Sequence, residues 1–107
     1  MKPVIPRKAA DDDIDRALSY YRGHAAEVPP NVAARFLQAL EAAFDAIATR
    51  PGMGSPRYAH ELDMPGLRSW IVDGFPYLVF YMEHDNGIDV LRVLHQSRDI
   101  PAGFDSR

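Results

Sequence analysis

The sequence predicts an α+β fold in which a short N-terminal strand precedes an antiparallel hairpin of two helices, and the hairpin packs on one face of a small antiparallel sheet. Three observations support this β-α-α-β-β-β order. Apolar residues recur at helical spacing in the first half of the chain and alternate in the second half. In addition, Asn86-Gly87 is a strong hairpin-turn signal between two alternating segments. With 107 residues, the chain is predicted to form a single domain over residues 1–107.

The N-terminal strand and the first helix meet at a proline. Residues 2–5 are predicted as a strand in which Pro3 is tolerated only at an edge or at the first position. Pro6 then suits the first turn of a helix. The apolar stripe of this helix is Ile14, Ala17, Leu18 and Tyr21. The aspartates near its start are favoured by the helix dipole, and consecutive helical residues point about 100° apart, so no metal site is predicted there.

The second helix is predicted from about residue 30 to residue 50, where Pro51-Gly52 ends it. Its apolar face consists of Val32, Phe36, Leu40, Ala43, Phe44 and Ile47. A short break at residues 23–30 joins the two helices, which predicts that they run antiparallel. Residues 53–64 are predicted to form a loop.

Three strands follow, at residues 67–72, 77–82 and 88–94, and form an antiparallel meander. Residues 95–107 are predicted to be irregular, since they contain Pro101 and Gly103. Strict alternation in the last strand places Ile88, Val90, Arg92 and Leu94 on one face and Asp89, Leu91 and Val93 on the other.

The middle strand is apolar on both faces, with Tyr77, Val79 and Tyr81 opposite Leu78, Phe80 and Met82. The helix hairpin can cover one face, and the tail can shield only part of the other. The remainder is expected to be an exposed apolar patch, which in a monomer usually marks a binding site. The alternative is that the tyrosine hydroxyls simply reach solvent and no partner is needed.

Charge and composition exclude several classes of function. Twelve Lys and Arg against fifteen Asp and Glu give a net charge of −3, which argues against unaided binding of nucleic acid. No cysteine is present, which excludes disulfides, thiolate zinc sites and cysteine nucleophiles. The four histidines lack the spacing of metal ligands, so neither a metal nor another cofactor is expected.

The same composition predicts a cytoplasmic protein without a membrane association. No apolar run approaches the roughly 20 residues of a membrane span. Residues 1–8 also lack the apolar stretch of a signal peptide.

One constellation suggests catalysis. Arg68, Arg92 and His95, with Arg98 just beyond, fall at the ends of adjacent predicted strands. A metal-free ribonuclease needs a base, an acid and arginines that stabilise the phosphorane charge. The alternative is that the arginines are rim residues paired with acidic groups and that His95 merely ends a strand.

Several short motifs resemble the ParE toxins of the RelE/ParE superfamily. They are Arg-Pro-Gly-Met-Gly at 50–54, Gly-Leu-Arg at 66–68, Gly-Phe-Pro-Tyr-Leu-Val-Phe-Tyr-Met at 74–82 and Val-Leu-Arg-Val-Leu-His-Gln-Ser-Arg-Asp at 90–99. Together with the element order, they cover nearly the whole chain. The resemblance implies the toxin of a type II toxin–antitoxin pair that inhibits DNA gyrase and replication. It also implies a ParD-like antitoxin whose C-terminal segment wraps the toxin, commonly as a heterotetramer that reaches DNA only through the antitoxin.

The RelE branch of the superfamily instead cuts mRNA in the ribosome, and this is the alternative function. That branch relies on lysines and arginines around the sheet and on an Arg with a Tyr or His near the C-terminus. Here no Lys follows Lys8, no Tyr follows Tyr81, and Ser97 stands where those nucleases tend to carry a basic residue. The resemblance therefore favours the branch that is not an enzyme, although the short tail shows no basic segment typical of a gyrase poison.

The candidate sites follow from the strand faces and from the resemblance. The residues predicted to bind the antitoxin are Arg68, Trp70, Tyr77, Val79, Tyr81 and Arg92. His95 and Arg98 are the candidates for target binding. No catalytic residue is assigned; for a nuclease, the set would be His95, Arg68 and Arg92.

Overall fold

The computed structural model describes residues 1–105 and confirms the α+β class. Residues 106 and 107, which belong to the predicted domain and tail, lie outside the described residues. The strands are β1 (Val4–Pro6), β2 (Arg68–Ile71), β3 (Tyr77–His84) and β4 (Gly87–His95). The helices are α1 (Lys8–Gly23), α2 (Val32–Thr49), α3 (Arg57–Glu61) and α4 (Ile100–Asp105), with a 3₁₀ turn at Pro51–Met53.

The sheet is mixed rather than antiparallel. Its strand order is β1-β4-β3-β2, and β1 runs parallel to β4 while the other pairs are antiparallel. Ile88 N–H donates to the carbonyl of Pro3, and Arg7 N–H donates to the carbonyl of Val90. Local turn signals predict only the hairpins; the pairing of the first strand with the last depends on contacts far apart in sequence.

A bulge in β4 changes which side chains share a face. Phe80 pairs with Arg92 but Tyr81 pairs with Val90, so that Leu91 is the extra residue. Consequently Val90 and Val93 both pack under the helix hairpin, and Leu91 packs against the other face with Leu94. The strict alternation predicted for this strand therefore holds as far as Leu91 and is wrong for Val93 and Leu94.

The helix hairpin covers one face of the sheet, as predicted. Ala17 and Leu18 of α1 and Phe36, Leu40 and Ile47 of α2 are buried in this larger core. The sheet contributes Val79, Tyr81, Ile88, Val90 and Val93 to the same core. Helix α1 also lies along β4 beyond the end of β1, which places its polar side chains next to the open edge of that strand.

The other face is covered by the chain's own short helices. Phe80, Leu67 and Leu94 form a second core with Ile100, and Tyr58 of α3 and Phe104 of α4 pack against it. The predicted open apolar face on the middle strand is therefore wrong, because Val79, Phe80 and Tyr81 have no solvent exposure. Helices of five and six residues are too short to give a periodic signal, so the sequence left these segments as a loop and an irregular tail.

Candidate functional site

Arg92, predicted to bind an antitoxin or to assist catalysis, is instead part of the fold. Its Nε and Nη2 donate to the two carboxylate oxygens of Asp13, at 2.7 and 2.9 Å, and its Nη1 donates to the carbonyl of Gly103. Hydrogen bonding to Asp13 raises the pKa of the guanidinium above its ordinary value. The Arg92 side chain is only 10% exposed, so it joins α1, β4 and α4 and leaves little surface for a partner.

Tyr81 and Arg68 hold the loop that follows α2. The buried Tyr81 hydroxyl donates to the carbonyl of Pro51 at 2.6 Å and accepts from the N–H of Gly54 at 3.1 Å. Arg68 Nη1 donates to the carbonyl of Gly54 at 2.7 Å. Burial raises the pKa of Tyr81, so the phenol stays protonated. A Cβ at position 54 would overlap the Tyr81 hydroxyl, which explains the glycine in this motif.

The residues of the predicted nuclease set do not converge. His95 lies opposite Tyr77 and Arg68 lies opposite Tyr81. The strand rise separates these two positions by about 13 Å along β3. Three of the five N–H donors of Arg92 are already used by Asp13 and by the carbonyl of Gly103. Arg68 is bonded to the carbonyl of Gly54, so the three side chains are held by different parts of the fold.

The six residues predicted to bind the antitoxin divide into three groups. Val79 and Tyr81 are fully buried under the helix hairpin, which corrects their assignment to a partner surface. Arg92 and Arg68 bond within the chain, although Arg68 is only half-buried. Trp70 and Tyr77 remain partly accessible, and Trp70 lines shallow pockets beside the β2 edge.

A groove of about 390 Å³ between α1 and the end of β4 gathers the remaining candidates. His95, Arg98 and Tyr77 line it together with residues of α1 that the sequence analysis did not select. The full lining is Asp13, Arg16, Ala17, Tyr20, Tyr21, Tyr77, Val93, Leu94, His95, Ser97 and Arg98. The two candidates for target binding are thus neighbours in one concave site, which we call the α1–β4 groove.

Several aromatic rings line the α1–β4 groove. The Tyr77 ring meets the rings of His95 at 5.2 Å and of Phe36 at 5.3 Å, both edge-on. Tyr21 packs on Phe36 at 5.6 Å, and Tyr20 packs edge-on against Tyr21. Burial raises the pKa of both Tyr21 and Tyr77, so their hydroxyls remain neutral donors at physiological pH.

The α1–β4 groove also carries charged groups and an imidazole. Arg16 pairs with Asp13 and keeps 63% of its side chain exposed, and Arg98 is exposed. His95 Nδ1 accepts a hydrogen bond from the backbone N–H of Ser97 at 3.1 Å, with the Ser97 hydroxyl at 2.7 Å. Because a backbone N–H can only donate, the neutral imidazole keeps its hydrogen on Nε2.

Sequence reasoning missed the contribution of α1 to this groove. A usable signal existed, since Asp13 falls between the buried alanines Ala10 and Ala17 at helical spacing. An aspartate on an apolar stripe needs a buried partner. Arg16 is at the i+3 position from Asp13, so it would be expected to lie next to the Asp13 carboxylate and whichever group pairs with it.

Metal-binding clusters and membrane-spanning helices are both absent from the part of the chain that the structure describes. Residues 1–105 contain no group of three or more His, Cys, Asp or Glu side chains arranged to hold a metal ion. None of the helices within this range has the length and apolarity that a bilayer span requires.

Comparisons with known proteins identify the family. The profile of the family described as the ParE toxin of the type II toxin–antitoxin system parDE matches residues 4–100. A solved structure described as the chromosomal ParDE toxin–antitoxin system from P. aeruginosa superposes with a TM-score of 0.69 and 18% identity. The match covers 89% of this chain and 96% of that chain. No curated protein sequence matches. The family profile spans almost every element of the fold, and the chain belongs to the ParE toxin family of type II toxin–antitoxin systems.

Proposed function

We propose that this ParE-family toxin arrests growth by inhibiting DNA gyrase, and that a ParD-like antitoxin neutralises it in a hetero-oligomer. The observation that carries the proposal is the family match over residues 4–100. The solved relative, described as a ParDE system, supports a partner of the ParD kind. The toxin would act in the cytoplasm and reach operator DNA only through the antitoxin.

Binding a protein target is consistent with the charge of the chain. A net charge of −3 gives little attraction for a phosphate backbone. The α1–β4 groove presents aromatic rings beside a few charged groups. Aromatic and arginine side chains are the residues that most often dominate protein–protein interfaces.

A mode of action without catalysis is supported by the arrangement of the arginines. The guanidinium of Arg92 is hydrogen-bonded to Asp13 and to the carbonyl of Gly103, and Arg68 lies far from His95 along the sheet. Inhibition of gyrase would therefore depend on binding, with the toxin holding the enzyme in its DNA-cleaved state.

Expression of the toxin alone in a bacterium tests the proposal. We expect filamentous cells, an induced DNA-damage response, and linear DNA when the purified toxin is added to gyrase and a supercoiled plasmid. Co-expression of a ParD-like antitoxin, to be sought in the neighbouring reading frames, should restore growth. An Arg35→Ala variant on the exposed face of α2 serves as a control for expression and folding, and should remain toxic.

Two outcomes would contradict the proposal. Normal growth in the presence of soluble, folded toxin would reject the toxic activity itself. Growth arrest with intact gyrase activity and codon-positioned mRNA cuts, abolished by His95→Ala, would instead assign the chain to the mRNA-cleaving branch.

A further inference from the structure

The α1–β4 groove is locally cationic in a chain that is acidic overall. Asp13 is the only acidic side chain in its lining, and its carboxylate already accepts from Arg92, Arg16 and the N–H of Val93. Two guanidinium groups on one carboxylate leave one positive charge uncompensated. Arg98 adds a second, because no acidic partner for it is found among the side chains that the structure describes.

The groove also offers hydrogen-bond donors that the fold does not use. Within the described residues, the hydroxyls of Tyr21 and Tyr77 have no hydrogen-bond partner, whereas the Tyr81 hydroxyl has two. Both tyrosines line the same groove as Arg16 and Arg98. Neutral phenols beside guanidinium groups are complementary to a carboxylate, and the exposed ring of Tyr20 is complementary to an apolar side chain.

We propose that the α1–β4 groove seats an acidic polypeptide segment in which a carboxylate faces Arg16 and Arg98 and a neighbouring large apolar side chain packs on Tyr20 and Tyr77. The inference rests on the proposed function for the source of this segment, which is the antitoxin. Antitoxin bound here would cover His95 and Arg98, the two candidates for target contact, so neutralisation would follow from occupation of the same groove.

A polypeptide fits the groove better than a nucleic acid does. Affinity for a phosphate backbone grows with the number of cations that track it. The groove supplies two uncompensated charges, and both lysines of the chain lie outside its lining, at Lys2 and Lys8. The aromatic rings of the same groove instead favour an apolar side chain next to the acid.

The test compares antitoxin affinity for charge variants of the intact toxin. Wild-type toxin and its full-length ParD-like antitoxin, once identified by rescue of growth, are titrated by calorimetry, with circular dichroism as a check of folding. We expect about a tenfold loss of affinity for Arg98→Ala, equivalent to 1.4 kcal/mol, and a larger loss for Arg98→Glu. Arg35→Glu is the matched control, since it changes the same charge on α2, and should alter affinity less than twofold.

Charge reversal in the antitoxin identifies the contact. Single Asp or Glu residues of the antitoxin are replaced by Arg, and one of these variants should recover much of the affinity lost in Arg98→Glu. Tyr77→Phe, which removes only a hydroxyl, should weaken binding by a few fold while unfolding as the wild type does. Labelled single-stranded 20-mers of DNA and RNA are the competing probes.

The outcomes separate this inference from the proposed function. If wild-type toxin does not bind the antitoxin, both are rejected. If wild-type toxin binds but Arg98→Glu and Arg16→Ala bind equally well, the groove inference is overturned and the toxin–antitoxin pairing stands. Binding of the 20-mers that depends on Arg98, without an effect of Arg98 on the antitoxin, would also overturn it in favour of a nucleic-acid site.

Discussion

Arg92 and Arg98 lie near the same end of the sheet but differ in burial and in the hydrogen bonds that they make within the chain. Arg92 is 10% exposed, and its guanidinium bonds to Asp13 and to the carbonyl of Gly103. Arg98 is exposed and lines an open groove. Residue type therefore does not separate a structural arginine from one that can bind a partner; the separation comes from whether the fold has already satisfied its donors.

The largest effect on stability is expected from breaking the buried ion pair between Arg92 and Asp13. Asp13→Ala removes the carboxylate that compensates Arg92 and accepts from the N–H of Val93. Removing one partner of a buried pair typically lowers the free energy of unfolding by about 3–5 kcal/mol, because the remaining charge stays buried and unpaired. Urea denaturation of the purified toxin measures this loss.

Asp15→Ala is the matched control for that measurement, because Asp15 is an exposed aspartate of the same helix. It should change the free energy of unfolding by no more than about 0.5 kcal/mol. Equal stability of the Asp13 and Asp15 variants would show that the ion pair with Arg92 does not hold α1 to β4.

The sequence predicts the elements of this fold better than their contacts. The helix hairpin and the meander follow from apolar spacing and turn residues, and both are found. The bulge at Leu91 does not follow, because one extra residue in a strand leaves no mark in an apolar run. Since the bulge shifts every later side chain by one position, it decides which core receives Val93 and which receives Leu94.

The sequence predicted the residues that the meander contributes to the candidate site, but not those that α1 contributes. Tyr77, His95 and Arg98 come from the end of the meander and do line the α1–β4 groove. Arg16 and Tyr20 come from α1, and only the three-dimensional packing of this helix along β4 brings them there. A site formed by two segments so distant in sequence requires the long-range contact, which spacing alone does not encode.

The next largest effect on stability is expected at Gly54, which contacts the Tyr81 hydroxyl. In Gly54→Ala, the new Cβ would overlap the Tyr81 hydroxyl and lie 2.8 Å from its ring carbon Cζ. Such overpacking usually lowers the free energy of unfolding by about 1–3 kcal/mol. Gly52→Ala in the same turn is the control, since a Cβ there meets no atom within 4 Å. A comparable loss in both variants would mean that the backbone of the turn, and not the Tyr81 contact, sets the stability.

A smaller effect distinguishes the two kinds of tyrosine. Tyr81→Phe leaves the carbonyl of Pro51 and the N–H of Gly54 without their partner, which should lower the free energy of unfolding by about 1–2 kcal/mol. Tyr77→Phe removes a hydroxyl without a hydrogen-bond partner among the described residues and should change stability by less than about 0.5 kcal/mol. Thermal unfolding of the two variants side by side makes the comparison. A destabilised Tyr77→Phe variant would show that the Tyr77 hydroxyl contributes to the stability of the fold.

The smallest effect is expected at the exposed end of β4, where a second ion pair contrasts with that of Arg92. Arg7 Nη2 lies 2.6 Å from Asp89 Oδ2, and this hydrogen bond lowers the pKa of Asp89 below its ordinary value of 3.8. A pKa that is lower in the folded chain than in the unfolded chain stabilises the fold above the unfolded value, and the contribution disappears as the pH falls through the folded value. The contribution is therefore complete at neutral pH and is lost below about pH 4.

Asp89→Asn tests this contribution as a function of pH. The variant should unfold at a slightly lower temperature than the wild type at pH 7, and the two curves should converge as the pH is lowered through the acidic range. Salt at 1 M should shrink the difference at pH 7, because both side chains reach solvent and the charges are screened. The Asp13–Arg92 pair should be far less sensitive to salt, since its carboxylate is only 2% exposed. A gap between Asp89→Asn and the wild type that stays constant from pH 7 to pH 2 would mean that Asp89 contributes through packing on β4, and not through its charge.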